Sequence, residues 1–232
     1  RPNEGDFGLE RLQEIYLEIV KRPIAKKTVL IGGTNGKGTT AEYLKNFFIA
    51  SGKKVGVYTS PHLIEFNERI KINNISSSDE EIIKSFEKID KIKNKTRLTY
   101  FDFATLAAFD IFSKEDLDIA ILEIGIGGKY DPVNLIDADL SIITNIELDH
   151  EKWLGSSLEE IGLQKAAILK PGKSAILGSG IMPASVISKA KKTCTYYQLN
   201  NDFLIQECDS GWSYNFLDKH FEIKGLPYGN LN

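Results

Sequence analysis

The strongest constraint on the fold is the run Gly32-Gly33-Thr34-Asn35-Gly36-Lys37-Gly38-Thr39-Thr40. It follows an apolar, strand-like segment at 28–31 and opens a helix-like one at 41–48. A glycine-rich turn from strand to helix aims backbone N–H groups at an anion, and the helix N-terminus adds partial positive charge. Lys37 can reach outer phosphates, and a Thr hydroxyl can join the shell of a Mg2+ ion. Such a turn predicts a nucleoside triphosphate site made of Thr34, Asn35, Gly36, Lys37, Gly38 and Thr39. Gly38 stands between Lys37 and Thr39, and two residues separate Gly33 from Gly36, so the spacing is not that of common kinases or GTPases.

The pattern around the loop alternates. Apolar residues at 9, 12, 15, 16 and 19 have a helical period, and Pro23 ends that helix. A helix is predicted over about 39–51, closed by Gly52, with a second strand at 54–58. Ser78 and Glu81 form a capping box before an amphipathic helix; Ser157 and Glu160 form another before a helix expected to run to Pro171-Gly172. Segments 118–123 and 139–144 are short apolar runs, as expected of strands covered on both faces. A last core strand is expected at 174–177 and a last helix at 183–192.

Strands alternating with helices predict an α/β fold, a doubly wound and mostly parallel sheet with helices on both faces. From about Tyr196 the pattern becomes short strands and tight turns, predicting a small antiparallel appendage. The expected organisation is therefore a nucleotide-binding α/β domain at 1–195 and an antiparallel segment of the same domain at 196–232.

Composition narrows the partners. The 232 residues carry a formal net charge of -3 with no long basic run, which argues against nucleic acid. No apolar stretch has membrane-spanning length. Cys194 and Cys208 lack metal-site spacing, so a reduced, cytoplasmic protein is expected, with a single surface disulfide the alternative. A monomer is expected. The single methionine is Met182, residues 1–8 read as a polar lead-in and 226–232 as a loop, so the chain reads as part of a longer one.

In a doubly wound sheet ligands bind beyond the carboxyl ends of the strands. Lys37, the segment Thr59-Ser60-Pro61-His62, Glu123 with the Gly125–Asp131 turn, and Asn145 to His150 all fall at that edge. Glu123 is either a carboxylate emerging into solvent or a group facing a nucleotide's Mg2+, which favours oxygen ligands. His150 alone reads as a loop residue, since imidazole is not a usual Mg2+ ligand. Lys165 is either a snorkelling lysine or a partly desolvated amine able to react with CO2, and spacing leaves both open.

Together these motifs resemble the Mur ligase superfamily, and within it the folylpolyglutamate synthase/dihydrofolate synthase family. The matching pieces are Gly8-Leu9-Glu10-Arg11, the glycine loop, Tyr58-Thr59-Ser60-Pro61-His62-Leu63, Asn67-Glu68-Arg69-Ile70, Thr99-Tyr100-Phe101-Asp102, Glu123-Ile124-Gly125-Ile126-Gly127-Gly128, Leu148-Asp149-His150 and the Lys165 helix. Only a short helix precedes the first strand, which favours the folate branch. The resemblance implies that Lys37, His150 and Lys165 act in catalysis and that Ser60, Glu123, His150 and Lys165, the last as a carbamate, surround Mg2+. It implies that Thr99, Tyr100, Phe101, Asp102, Tyr130, Asp131 and Pro132 contact a pteroate. Two motifs depart from the family: Lys129-Tyr130-Asp131-Pro132-Val133 stands where Arg-Leu-Asp-Ala-Thr is usual, and Gln164 precedes Lys165 where Glu is usual.

The implied activity is an ATP-dependent amide ligase adding L-glutamate to dihydropteroate or a folate, with ATP and Mg2+ as cofactors. The family carries a C-terminal domain that completes the ATP site, expected to begin after Asn232. The chain alone is therefore expected to bind ATP weakly and not to ligate. A related ligase with another carboxylate acceptor and a nucleotide-binding piece without turnover are the alternatives.

Overall fold

A computed structural model describes residues 8–208 and 211–224. The polar lead-in at 1–7 and the terminal loop at 226–232 lie outside the described residues. The elements are α1 (Glu10–Ile19), β1 (Lys27–Gly32), α2 (Lys37–Ala50), β2 (Val55–Tyr58), β3 (Ile70–Ile72), β4 (Ile75–Ser76), α3 (Asp79–Ile92), α4 (Tyr100–Phe112), β5 (Ile119–Glu123), β6 (Leu140–Ile143), α5 (Glu151–Leu154), α6 (Leu158–Lys165), β7 (Ser174–Leu177), α7 (Ala184–Thr193), β8 (Thr195–Gln198), β9 (Phe203–Cys208), β10 (Gly211–Phe216) and β11 (Lys219–Lys224).

Eight of the described strands form one sheet in the order β4-β3-β2-β5-β1-β6-β7-β8, parallel from β2 to β8. The central strands are β5, β1 and β6, and all five residues of β5 are buried. That explains their continuous apolar runs, since helices cover both faces. One face packs on α1, α3, α4 and α7 around Leu30, Tyr58, Phe109, Phe112 and Leu122. The other packs Val29, Ile31, Val57 and Ile121 under α2. Capping boxes start α3 at Ser78, α4 at Thr99 and α6 at Ser157. Each such cap is worth about 1 kcal/mol.

The antiparallel β9-β10-β11 sheet is present, but three elements differ from the sequence reading. The strand at 174–177 is not the last of the main sheet, because β8 adds beside β7 with Ala175 opposite Tyr196. Tyr196 packs against the core, so the aromatic content at 195–198 belongs to a half-covered strand and the antiparallel part begins at Phe203. The helix after Ser157 stops at Lys165 and tightens into a 3-10 turn, Ala166–Ile168. Its carbonyls are claimed elsewhere: Gln164 O accepts from Lys129 N, Ala167 O from Asn134 Nδ2, and Ile168 O from Ser141 Oγ. Lastly, β3 and β4 form an antiparallel edge too short for periodicity to reveal, turning at Asn73 with φ 54°.

Candidate functional site

The site is assembled by register. Ile31, the residue before Gly32, lies opposite Glu123 on β5, and Tyr58 on β2 lies opposite Leu122. The carboxyl ends of β2, β5 and β1 therefore deliver Ser60, Glu123 and the glycine loop to one place. Ser60 N donates to Glu123 Oε2 at 3.0 Å.

The glycine loop is held from β6. Thr34 N donates to Asn145 O, and Asn35 N to Asn145 Oδ1 at 2.9 Å. Glu147 joins the two amides, accepting from Asn35 Nδ2 at 3.0 Å and Asn145 Nδ2 at 2.9 Å. Thr144 Oγ1 donates to Asn35 O at 2.6 Å. Gly33 makes this packing possible: its φ is +137°, and a Cβ there would stand 1.9 Å from Thr144 Oγ1. Lys37, the first residue of α2, folds back with Nζ donating to Gly33 O and Thr34 O at 3.2 and 3.1 Å. Thr39 follows on the first turn of α2.

Glu123 is 5% exposed. Burial raises its carboxyl above the ordinary range, opposed by the Ser60 N–H and by Lys37. A carboxylate so placed is short of partners, which fits a cation nearby. Gly38 faces it, since a Cβ on that residue would lie 3.6 Å from Oε2.

Lys165 is 2% exposed at the end of α6, and its Nζ donates to Gly33 O at 2.7 Å. Burial and the Lys37 charge lower its amine to about 8, with Asp149 pulling the other way. It is not a snorkelling lysine. Gly128 lets the turn after β5 approach this helix end, where a Cβ would meet Gln164 O at 2.9 Å. His150 is half-exposed, has φ 51° and lies 3.5 Å from Asp149, whose charge bears on Lys165. Among the described residues no three His, Cys, Asp or Glu side chains converge as a ready-made metal set.

The second cluster lies at the start of α4. Thr99 caps the helix. Tyr100 is exposed, with the Arg69 guanidinium 5.5 Å from its ring centroid. Arg69 Nε donates to His62 Nδ1 at 2.9 Å. Phe101 lies against Tyr58 and over Gly125, where a Cβ would be 2.6 Å from its ring. Asp102 is buried on Arg11 and Thr99. Asp131 is also buried, accepting from Gly125 N, Ile126 N and Val133 N, each at 2.9 Å. Burial pushes its carboxyl up to about 7 against those three donors, with Asp102 adding to the rise. Pro132 is buried in a 3-10 turn, Pro132–Leu135, and half-exposed Tyr130 stacks under Lys129 Nζ.

The structure thus brings Lys37, Ser60, Glu123 and Lys165 to the glycine loop, while His150 is half-exposed beside Asp149. Asp102 and Asp131 are engaged by backbone donors and Arg11, while Tyr100 and Tyr130 present open rings. Glu147 belongs to the segment Asn145 to His150 at this edge without a role of its own in the sequence reading, and its Asn-X-Glu spacing after β6 is the signal that points to it; Thr144, the last residue of an apolar run, has no such signal. A separate groove of about 500 Å³, lined by Tyr16, Arg22, Thr28 and Asp139, lies at the opposite, amino end of β1 and holds none of these residues.

Comparison with known proteins returns the family that the motifs resemble. The Mur ligase middle domain model matches residues 31–201. A dihydrofolate synthase/folylpolyglutamate synthase of Buchnera aphidicola subsp. Schizaphis graminum is 43% identical over 211 residues, 87% of this chain and 48% of the relative. The Escherichia coli enzyme of the same name is 36% identical, over 96% of this chain and 52% of the relative. The structure of E. coli FolC with DHPP and ADP superposes with a TM-score of 0.91 at 35% identity, covering 95% of this chain and 53% of that one. A bifunctional folylpolyglutamate synthase/dihydrofolate synthase with Mn, AMPPNP and L-glutamate gives 0.87 at 38% identity, over 96% and 54%. The chain spans about half the length of the curated relatives it matches.

Proposed function

Because this chain belongs to the Mur ligase family, we propose that it forms the ATP-handling part of an amide ligase that joins L-glutamate to dihydropteroate or to a folate. The observation that carries the reading is the buried, under-partnered Glu123 in register with the strand leading into the glycine loop, with the Lys37 charge bearing on it and Lys165 bound to Gly33 O of the same loop. Relatives solved with ADP, AMPPNP, Mn and L-glutamate support the same assignment.

A carboxylate accepts an amine poorly because oxide would have to leave. In the proposed route a carboxylate oxygen of the acceptor attacks the γ-phosphorus of ATP, and ADP departs. The glutamate amine then attacks the acyl carbon, phosphate departs, and the nitrogen loses a proton. Thr34 to Thr39 would cradle the phosphates with backbone N–H groups, and Lys37 would exchange its contacts with Gly33 O and Thr34 O for phosphate oxygens. Positioning and charge neutralisation carry most of such a transfer. Ser60, Glu123, His150 and a carbamate on Lys165 would hold Mg2+, directly or through water, and the ion would supply charge neutralisation on the phosphates. The buried position and depressed basicity of Lys165 support the carbamate; a carbamyl signal from labelled bicarbonate, lost in Lys165→Arg, checks it.

Thr99, Tyr100, Phe101, Tyr130 and Pro132 would line the acceptor site, with Asp102 and Asp131 shaping it. The partners are then small molecules, with neither nucleic acid nor a membrane involved. No helix among the described residues is long and apolar enough to cross a membrane. We read the protein as a cytoplasmic monomer, and its main sheet as one nucleotide-binding unit extended by β9 to β11.

In a protein that carries this chain at its relatives' length, ATP, Mg2+, L-glutamate and dihydropteroate are expected to release phosphate and yield dihydrofolate. Offering tetrahydrofolate instead tests polyglutamate extension. Phosphate release indifferent to both acceptors contradicts the reading.

A further inference from the structure

We propose that Arg11 is a positioning residue for the acceptor substrate, acting through the first turn of α4. The proposal rests on the reading above that Thr99 to Asp102 face the acceptor. Arg11 lies on α1, far from that segment in sequence. Its Nη2 donates to Asp102 Oδ2 at 2.8 Å and its Nη1 to Arg97 O at 2.9 Å. The guanidinium therefore grips the chain on both sides of Thr99, while its Nε is buried without a partner among the described residues.

The grip is added to a helix start that needs none. Asp102 Oδ2 accepts from Thr99 N at 2.7 Å, and Thr99 Oγ1 accepts from Asp102 N at 3.1 Å. The boxes at Ser78 and Ser157 start α3 and α6 in the same way on exposed surface, with Glu and no arginine. At Thr99 the carboxylate is a shorter Asp, 2% exposed and tied to a cation from another helix. A buried ion pair adds little net stability over apolar packing, so what it contributes is a fixed geometry. α1 already docks through Leu12, Ile15 and Ile19, which leaves Arg11 free for that purpose.

The geometry it fixes is that of the acceptor segment. Phe101, next to Asp102, lies over Gly125, and Gly125 N is bound by Asp131. The Asp102 carboxylate that Arg11 holds also bears on Asp131, raising its carboxyl. Arg11, Asp102, Phe101, Gly125 and Asp131 form one chain of contacts that sets how the start of α4 meets the turn after β5. The glycine loop is held from the other side by Asn145 and Glu147. Loss of Arg11 should therefore separate acceptor binding from nucleotide binding.

The test is calorimetry on a protein that carries this chain at its relatives' length, titrating dihydropteroate and, separately, AMPPNP with Mg2+ into wild type, Arg11→Met, Arg11→Lys, Asp102→Asn and the double variant Arg11→Met/Asp102→Asn. Arg11→Met and Asp102→Asn should each weaken dihydropteroate about tenfold, the factor set by ~1.4 kcal/mol. The double variant should be no worse than the single ones, and nucleotide affinity should stay within about twofold. Arg11→Lys should recover only part, since one ammonium cannot serve Asp102 and Arg97 O in the same fork. Wild-type dihydropteroate affinity in Arg11→Met overturns the proposal, as does equal weakening of both ligands in step with a falling Tm. If Arg11→Met does not fold, full affinity in Arg11→Lys overturns it. Wild type that binds nucleotide but no dihydropteroate removes the acceptor reading itself and this proposal with it.

Discussion

Replacing three glycines of the glycine loop one at a time with alanine should give three different stabilities, and the structure sets their order. At Gly33 the φ of +137° is foreign to L residues, which costs about 1–3 kcal/mol. A methyl there also meets Thr144 Oγ1 at 1.9 Å and Thr144 N at 3.0 Å. Thr144 would have to leave, giving up its bond to Asn35 O, worth about 1 kcal/mol. Gly33→Ala should therefore lose about 3–5 kcal/mol. At Gly36 the φ is +77° and nothing lies within 4 Å of the added methyl, so the cost is the left-handed conformation alone, about 1–2 kcal/mol. Gly38 sits in the first turn of α2, has no positive φ and meets Glu123 Oε2 at an ordinary 3.6 Å. Gly38→Ala should be neutral or stabilising by up to about 1 kcal/mol. Urea unfolding followed by tryptophan fluorescence reads all three through the midpoint and slope. Gly33→Ala within about 1 kcal/mol of wild type, or Gly36→Ala costing more than Gly33→Ala, would refute the reasoning. Gly38→Ala has a second expected effect: its methyl narrows the space before Glu123, so Mg2+-nucleotide binding should weaken in a protein that is no less stable.

Other consequences concern the carboxylates. With Asp131 at about 7 in the folded chain and in the ordinary carboxyl range when unfolded, the folded state holds a proton the unfolded state has released between those values. Stability should fall as pH rises through that window, with a slope approaching about 1.4 kcal/mol per pH unit. Asp131→Asn should flatten the profile between about pH 4 and 7, measured by urea midpoints, and an unchanged slope would contradict the assignment. Glu123→Gln should leave the fold intact and reduce the gain in nucleotide affinity on adding Mg2+; equal gains in both proteins would remove Glu123 from the metal site. Asp110 is buried and binds Ser85, Lys88 and Lys114, so Asp110→Ala should cost about 3 kcal/mol in the same unfolding assay while sparing nucleotide affinity.

The architecture was legible because its signals are periodic and local. The runs at β1, β5 and β6 are apolar on both faces, and the boxes at Ser78 and Ser157 mark helix starts that the structure contains. What stayed hidden depends on contacts between distant segments. The end of α6 at Lys165 is decided by Lys129, Asn134 and Ser141, far away in sequence. β8 follows a helix without the apolar run of a central strand, because one side of it has no neighbouring strand. The site divides the same way. Lys37, Ser60 and Glu123 end strands or begin a helix, so a strand map places them together. Whether Lys165 snorkels or is enclosed depends on Gly33 O reaching its amine, and Glu147 and Arg11 act only through partners that the fold brings near.

The central claim is that the glycine loop of this chain holds a nucleotide's phosphates through Lys37. Calorimetric titration of AMPPNP with Mg2+ into a protein that carries this chain at its relatives' length, as wild type and as Lys37→Ala, tests it directly. The account predicts one site per chain in wild type, with binding lost in Lys37→Ala at unchanged Tm. Equal affinity in the two proteins, or no binding by a folded wild type, would contradict it.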